Sequence, residues 1–185
     1  MNRRRMIKAA VIGSSVVGLA ALAGLAAHFS VLGDYDDDDD DEGGQEALSR
    51  VLRYTKVSLQ QGLAASEEIG QPISGKFEVQ NRKFQLLVYT AKEGQFSEVL
   101  VDPLTGKVAY VESLKLANDL ANAESHSAAL ASSKTTLKEA VDKASGEAAG
   151  FRAVGILPNL RDGHPVATVL LLKGEQSQLV NVALD

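Results

Sequence analysis

Ser58-Leu59-Gln60-Gln61-Gly62-Leu63-Ala64 and, further along, Thr136-Leu137-Lys138-Glu139-Ala140-Val141-Asp142 carry one instruction written twice. Each opens on a hydroxyl residue and places Gln61 or Glu139 three residues later, the reciprocal pattern of a capping box. Each then runs through Gly and Phe into alternating apolar residues. The first series reaches Glu98-Val99-Leu100-Val101-Asp102, and the second reaches Asn181-Val182-Ala183-Leu184-Asp185. Similarity between 58–112 and 136–185 indicates a supersecondary unit used as a module. The order helix, then strands, predicts an α+β fold: two small modules, each a helix on an antiparallel sheet, joined by a helix.

Working outward, Leu59 and Leu63 share one helix face, and Gly70 marks the helix end. Phe77 and Val79 alternate with Glu78. Phe84, Leu86 and Val88 alternate with Gln85, Leu87 and Tyr89, and the apolar second set predicts that this other face is also partly covered. Glu93-Gly94 reads as a tight turn. Val99 and Val101 point inward, with Glu98 outward. Asp102-Pro103-Leu104-Thr105-Gly106-Lys107 carries hairpin-loop chemistry, with Asp to accept backbone N–H groups, Pro to fix φ and Gly for a left-handed position. Turn formation fully explains Asp102. From Glu112 to about Leu130, Leu116, Leu120 and Ala123 fall at helical spacing. Leu137, Ala140, Val141 and Ala144 form a second stripe. Phe151, Val154 and Ile156 open the second sheet segment, Pro158 to Gly163 reads as a long loop, and Val166 to Leu172 reads as a central strand. Leu63, Val88, Val141 and Leu170 are the expected core.

The first 33 residues are of another kind. Arg3, Arg4, Arg5 and Lys8 precede an uncharged stretch from Ala9 to Gly33. That layout is a secretory signal, and it is also long enough for a single membrane span. The two readings stay open. Arg3-Arg4 with its following residues also fits a twin-arginine export signal beside the general route. In each case the basic flank stays inside and the remainder lies outside the cytoplasm. The expected location is periplasmic or anchored to the inner membrane.

Asp36, Asp37, Asp38, Asp39, Asp40 and Asp41, with Glu42, form a like-charged block that Gly43 and Gly44 extend. Repulsion predicts a disordered linker over 34–46. The competing reading is a collector of calcium or other hard cations through the aspartate carboxylates, although a contiguous run lacks the spacing of a calcium loop. The expected organisation is therefore 1–33 signal or anchor, 34–46 linker, 47–112 first module, 113–133 helical connector and 134–185 second module.

Composition removes several chemistries. The chain has no Cys, which excludes thiol catalysis, disulfides and zinc ribbons. Its net charge of −5 gives no basic face for nucleic acid. His28, His126 and His164 are isolated from one another in sequence, so no metal site is expected. No nucleophile elbow, phosphate loop or dinucleotide fingerprint occurs. Glu67 and Glu68 are adjacent on a helix and diverge. No catalytic residue and no cofactor is expected.

The run Phe77-Glu78-Val79, Phe84 to Tyr89 and Glu98-Val99-Leu100-Val101-Asp102-Pro103-Leu104-Thr105-Gly106-Lys107-Val108, after the capped helix at Ser58-Leu59, resembles a PepSY domain. The strand ending in Val-Asp before a Thr-Gly-Lys-Val turn is the family's most distinctive element. Thr136 to Asp185 resembles it more weakly and lacks the Thr-Gly-Lys turn. The resemblance covers most of 51–185. It implies cystatin-like helix-on-sheet modules, an exported or membrane-tethered location, and a non-enzymatic role restraining a peptidase or binding another protein partner. It supplies no catalytic residues, and function argued from fold is analogy. For a binding module with exposed sheet edges, strand addition is the expected mode, with the strand at Phe77–Val79 or that at Phe151–Ile156 at the edge.

Overall fold

The computed structural model describes residues 41–80 and 83–185, which lie in one compact α+β unit. Helix α1 spans Asp41–Leu52 and α2 spans Leu59–Ser66. Strands β1 (Gln71–Gln80), β2 (Lys83–Lys92), β3 (Gln95–Val101) and β4 (Val108–Ser113) follow. Helices α3 (Ala117–Ala131) and α4 (Leu137–Glu147) then lead to β5 (Arg152–Arg161), β6 (His164–Lys173) and β7 (Gln176–Ala183). All seven strands form one antiparallel sheet in the order β4-β3-β2-β1-β5-β6-β7.

Local chemistry sets both module helices. The Ser58 hydroxyl accepts the Gln61 N–H at 3.2 Å while Gln61 accepts the Ser58 N–H at 2.7 Å. Thr136 and Glu139 repeat this at 3.2 and 2.8 Å. Each box satisfies two of the donors that a helix start leaves free. The first helix stops at Ser66 with Glu67 as its C-cap, short of the expected end at Gly70, and Gly70 serves another purpose. It is absent from the positive-φ residues, but a Cβ there would stand 2.9 Å from the Ala91 carbonyl oxygen, so close backbone approach demands glycine.

The strands of the two halves correspond at a constant separation of 81 residues. Bulges fall between Pro72 and Ser74 in β1 and between Ala153 and Gly155 in β5. Hairpins close at Gln80–Lys83 and Arg161–His164, and again at Lys92–Gln95 and Lys173–Gln176. The caps Ser58 and Thr136 are 78 apart because α4 has 11 residues where α2 has 8. The halves meet where β1 pairs with β5 at Gly75–Ile156 and Lys76–Gly155. Gly75 and Ile156 are themselves 81 apart, so a local two-fold axis passes through that pair.

This junction corrects the expected edges. Phe77–Val79 and Phe151–Ile156 belong to β1 and β5 at the centre of the sheet, because each strand takes the other as its neighbour. The outermost strands are β4 and β7. Three smaller readings also change. Residues 41–46, expected in the linker, are helical, and the helix is held where Leu48 and Leu52 are buried. Pro158 to Gly163 is no long loop: β5 runs to Arg161 and only Asp162-Gly163 turn, both with positive φ. Pro158 lies beyond the two registered β1–β5 pairs, so its missing N–H breaks no bond at the junction. The helix expected from Glu112 starts at Ala117, because Val108–Ser113 extend the ladder on β3.

Helices α2 and α4 pack on one face of the sheet, over the first and second halves respectively. Leu59, Leu63, Leu86, Val88, Val99, Val101, Ala140, Val141, Ile156, Val169 and Leu171 are fully enclosed there. Of the expected core, Leu63, Val88 and Val141 are completely buried, whereas Leu170 is half-buried and its neighbours Val169 and Leu171 take the inner positions. On the other face α3 runs across β2, β1, β5 and β6 and buries Ala123, His126, Ala129 and Leu130. That cover explains why Leu87 and Tyr89 are buried.

Candidate functional site

Asp36 to Asp40, like the whole of 1–33 with His28, lie outside the described residues. Asp41 begins α1. Among the described residues no group of three or more His, Cys, Asp or Glu side chains is placed to hold a metal, and no helix is long and apolar enough to cross a membrane. His126 is buried in α3, while His164 is exposed with Nδ1 3.2 Å from the Asp185 carboxylate, so the structure does not bring the two together. Glu67 pairs with Lys138 at 2.6 Å. Asp102 accepts the Leu104 and Thr105 N–H groups at 2.8 and 2.9 Å, which hold its carboxyl below the usual range. The lining of a half-open cavity of about 330 Å³ includes Pro72, Leu130, Lys134 and Leu137, and the Lys138–Glu67 pair at its rim is internally neutralised.

The face under α3, expected from Leu87 and Tyr89 to be partly covered, holds a polar array. Lys76 meets Glu78 at 2.6 Å with only 9% and 17% of the two side chains exposed. Gln85 donates to Glu78 at 2.7 Å, and the Tyr89 hydroxyl donates to Glu98 at 3.0 Å. Desolvation raises the Glu98 pKa most, opposed by the Tyr89 bond; burial also pushes the Tyr89 hydroxyl far up. Alternation placed these residues on one face correctly, but the helix that covers them is remote in sequence. Arg152 is a further pin without a local signal. It donates to the Leu52 and Thr55 carbonyls at 2.9 Å and to Val57, and its guanidinium lies 5.5 Å over the Phe77 ring. Partial burial lowers its pKa. Charges paired in this way organise the fold. None of them forms a nucleophile-and-base pair aimed at a cleft.

The groups left over lie at the sheet's two ends. On β4 all six residues are exposed, including Val108, Val111 and Tyr110, the last at 56%. Leu104 in the preceding loop is 67% exposed. On β7, the alternation of an antiparallel ladder directs Gln176, Gln178, Val180 and Val182 toward β6. It leaves the N–H and C=O groups of Ser177, Leu179, Asn181 and Ala183 pointing away. Among the described residues no strand lies outside β4 or β7. No protein-family model, no curated protein and no solved structure matches this chain.

Proposed function

We propose that this chain is a non-enzymatic, PepSY-like binding protein of the bacterial envelope. In this reading the N-terminal segment exports it or holds it at the inner membrane, and tandem helix-on-sheet modules engage a protein partner. A peptidase restrained by that contact is the partner class the family resemblance suggests. The 81-residue correspondence of β1–β3 with β5–β7 supports the tandem-module reading. One observation carries the binding reading: a sheet with a filled interior ends on both sides in strands whose outer backbone groups have no strand beside them among the described residues. Such an edge is a template for an extended segment of another chain.

Photo-crosslinkers placed at Tyr110 on β4, at Asn181 on β7 and at Glu124 on the exposed side of α3 test this in intact envelopes. A common protein adduct from an edge position, absent from Glu124, is the expected result. Absence of any adduct from both edges would sink the reading.

A further inference from the structure

The two edges are unequal, and the difference identifies the one that receives a strand. Natural sheets blunt their free edges with charge, bulges or proline. β4 is blunted: its ladder on β3 slips between Leu100 and Val101, Glu112 stands opposite Glu98, and Lys107 and Lys115 flank it. β7 is also flanked by charges, at Glu175 and Asp185, but the strand itself carries none of the other devices. Gln176-Ser177-Gln178-Leu179-Val180-Asn181-Val182-Ala183 contains no charge and no proline, and its register on β6 runs unbroken from Lys173–Gln176 to Val166–Ala183. The correspondence of the halves adds a second, independent observation. β7 is the counterpart of β3, and the outer edge of β3 is filled by β4.

We propose that β7 binds an extended peptide segment of a partner protein as an added antiparallel strand, in the register that β4 takes on β3. This rests on the binding reading above and specifies its site and ligand pattern. Glu98 and Leu100 face Glu112 and Tyr110, so ligand residues opposite Leu179 and Asn181 exchange backbone bonds with them. The residue between lies opposite Val180, as Val111 lies opposite Val99, and is apolar and β-branched. Leu179 replaces Glu98 at its position, so the ligand residue facing it is uncharged, and Asn181 selects a polar or hydroxyl side chain.

The probe is a synthetic peptide copying Lys107–Lys115 with Glu112→Thr, added at about 1 mM to the full chain in mild detergent. Residue-resolved amide exchange is the readout. Ninety per cent occupancy should slow exchange of the outward Leu179 and Asn181 amides by about tenfold, from the fast exchange of unbonded amides, while Val180 and Val182, already bonded to β6, are slow with or without peptide. Asn181→Pro removes an outward N–H and no backbone bond to β6, although it forfeits the 2.9 Å bond that the Thr168 hydroxyl donates to the Asn181 side chain; it should abolish the protection while the Val180 and Val182 amides report an intact fold. Unchanged exchange at Leu179 and Asn181, or equal protection in Asn181→Pro, overturns the assignment. Protection without peptide also overturns it, because a second copy (if lost on dilution) or residues 1–40 (if not) would then fill the edge. Peptide protection confined to β4 would overturn the β7 site but leave the binding reading standing. Failure at both edges together with absent crosslinks would remove both.

Discussion

Gly62 lies inside α2 at a position where alanine is ordinarily the better helix residue. Replacing an interior helix glycine by alanine gains about 1 kcal/mol where the new methyl meets only solvent. Here it does not. A Cβ on Gly62 would come 2.2 Å from Cδ2 and 2.9 Å from Cγ of Leu86, a side chain with no exposed surface. Leu86 must shift to admit it, and inserting a methylene into a packed core costs about 1–3 kcal/mol. The clash outweighs the propensity gain, and Gly62→Ala should lose about 1 kcal/mol net. Gly146 in α4 is the matched control, because nothing lies within 4 Å of its would-be Cβ. Gly146→Ala should gain up to about 1 kcal/mol. Urea unfolding at constant m should place the two midpoints on opposite sides of wild type, each displaced by about 0.5 M. Two shifts of the same sign, or a stabilised Gly62→Ala, would refute the claim that α2 is seated on Leu86 at this distance.

Three further expectations follow from the buried charges. Lys76→Met strands the Glu78 carboxylate and should cost about 3 kcal/mol in chemical unfolding, with Lys76→Met/Glu78→Gln recovering part of it. Arg152→Met keeps the stem over Phe77 but releases three carbonyls between α1 and α2; a loss of about 2 kcal/mol and faster amide exchange at the start of α2 are expected. Glu98, raised above its ordinary 4.5 chiefly by desolvation, holds more protons folded than unfolded. Its contribution is therefore fully present below about pH 4.5 and is lost as pH rises through the folded value. The unfolding free energy of wild type relative to Glu98→Gln should decline across that window, and a flat difference would show that folding does not desolvate the carboxyl.

The features legible in the sequence are those whose physics is local. The capping boxes at Ser58 and Thr136 involve atoms three residues apart, and the Asp102–Lys107 turn closes on itself through the Asp102 carboxylate. The α4 stripe is visible because one helix face is buried along its length. What escaped reading depends on distant partners. Nothing near Gly75 announces Ile156, so β1 and β5 looked like edge strands. Leu87 and Tyr89 announce that this face is partly covered, but nothing near Lys76, Glu78 or Glu98 identifies α3 as the cover or the charges as buried. Pro158 was misplaced because a proline reads as a loop until its neighbouring ladder is known to have ended. The β7 edge has the same history: its eight residues resemble any other strand, and their lack of charge gains meaning only once β7 is known to be outermost.

The two-fold relation at Gly75–Ile156 has a cost during synthesis. When β1 emerges, β2 follows at once, but the strand that will cover its other edge, β5, is still 81 residues away, a delay of roughly 4–16 s at ordinary elongation rates. Throughout that interval a nascent chain carries a β1 with one open edge, whose natural mate there has nearly the same shape as itself. Two half-made copies could therefore zip together through β1, or later exchange halves, and the resulting tangle would satisfy most of the bonds of the finished monomer. Any factor that keeps early chains apart, or that delays collapse until the whole polypeptide is present, protects this fold at the step where it is most easily lost.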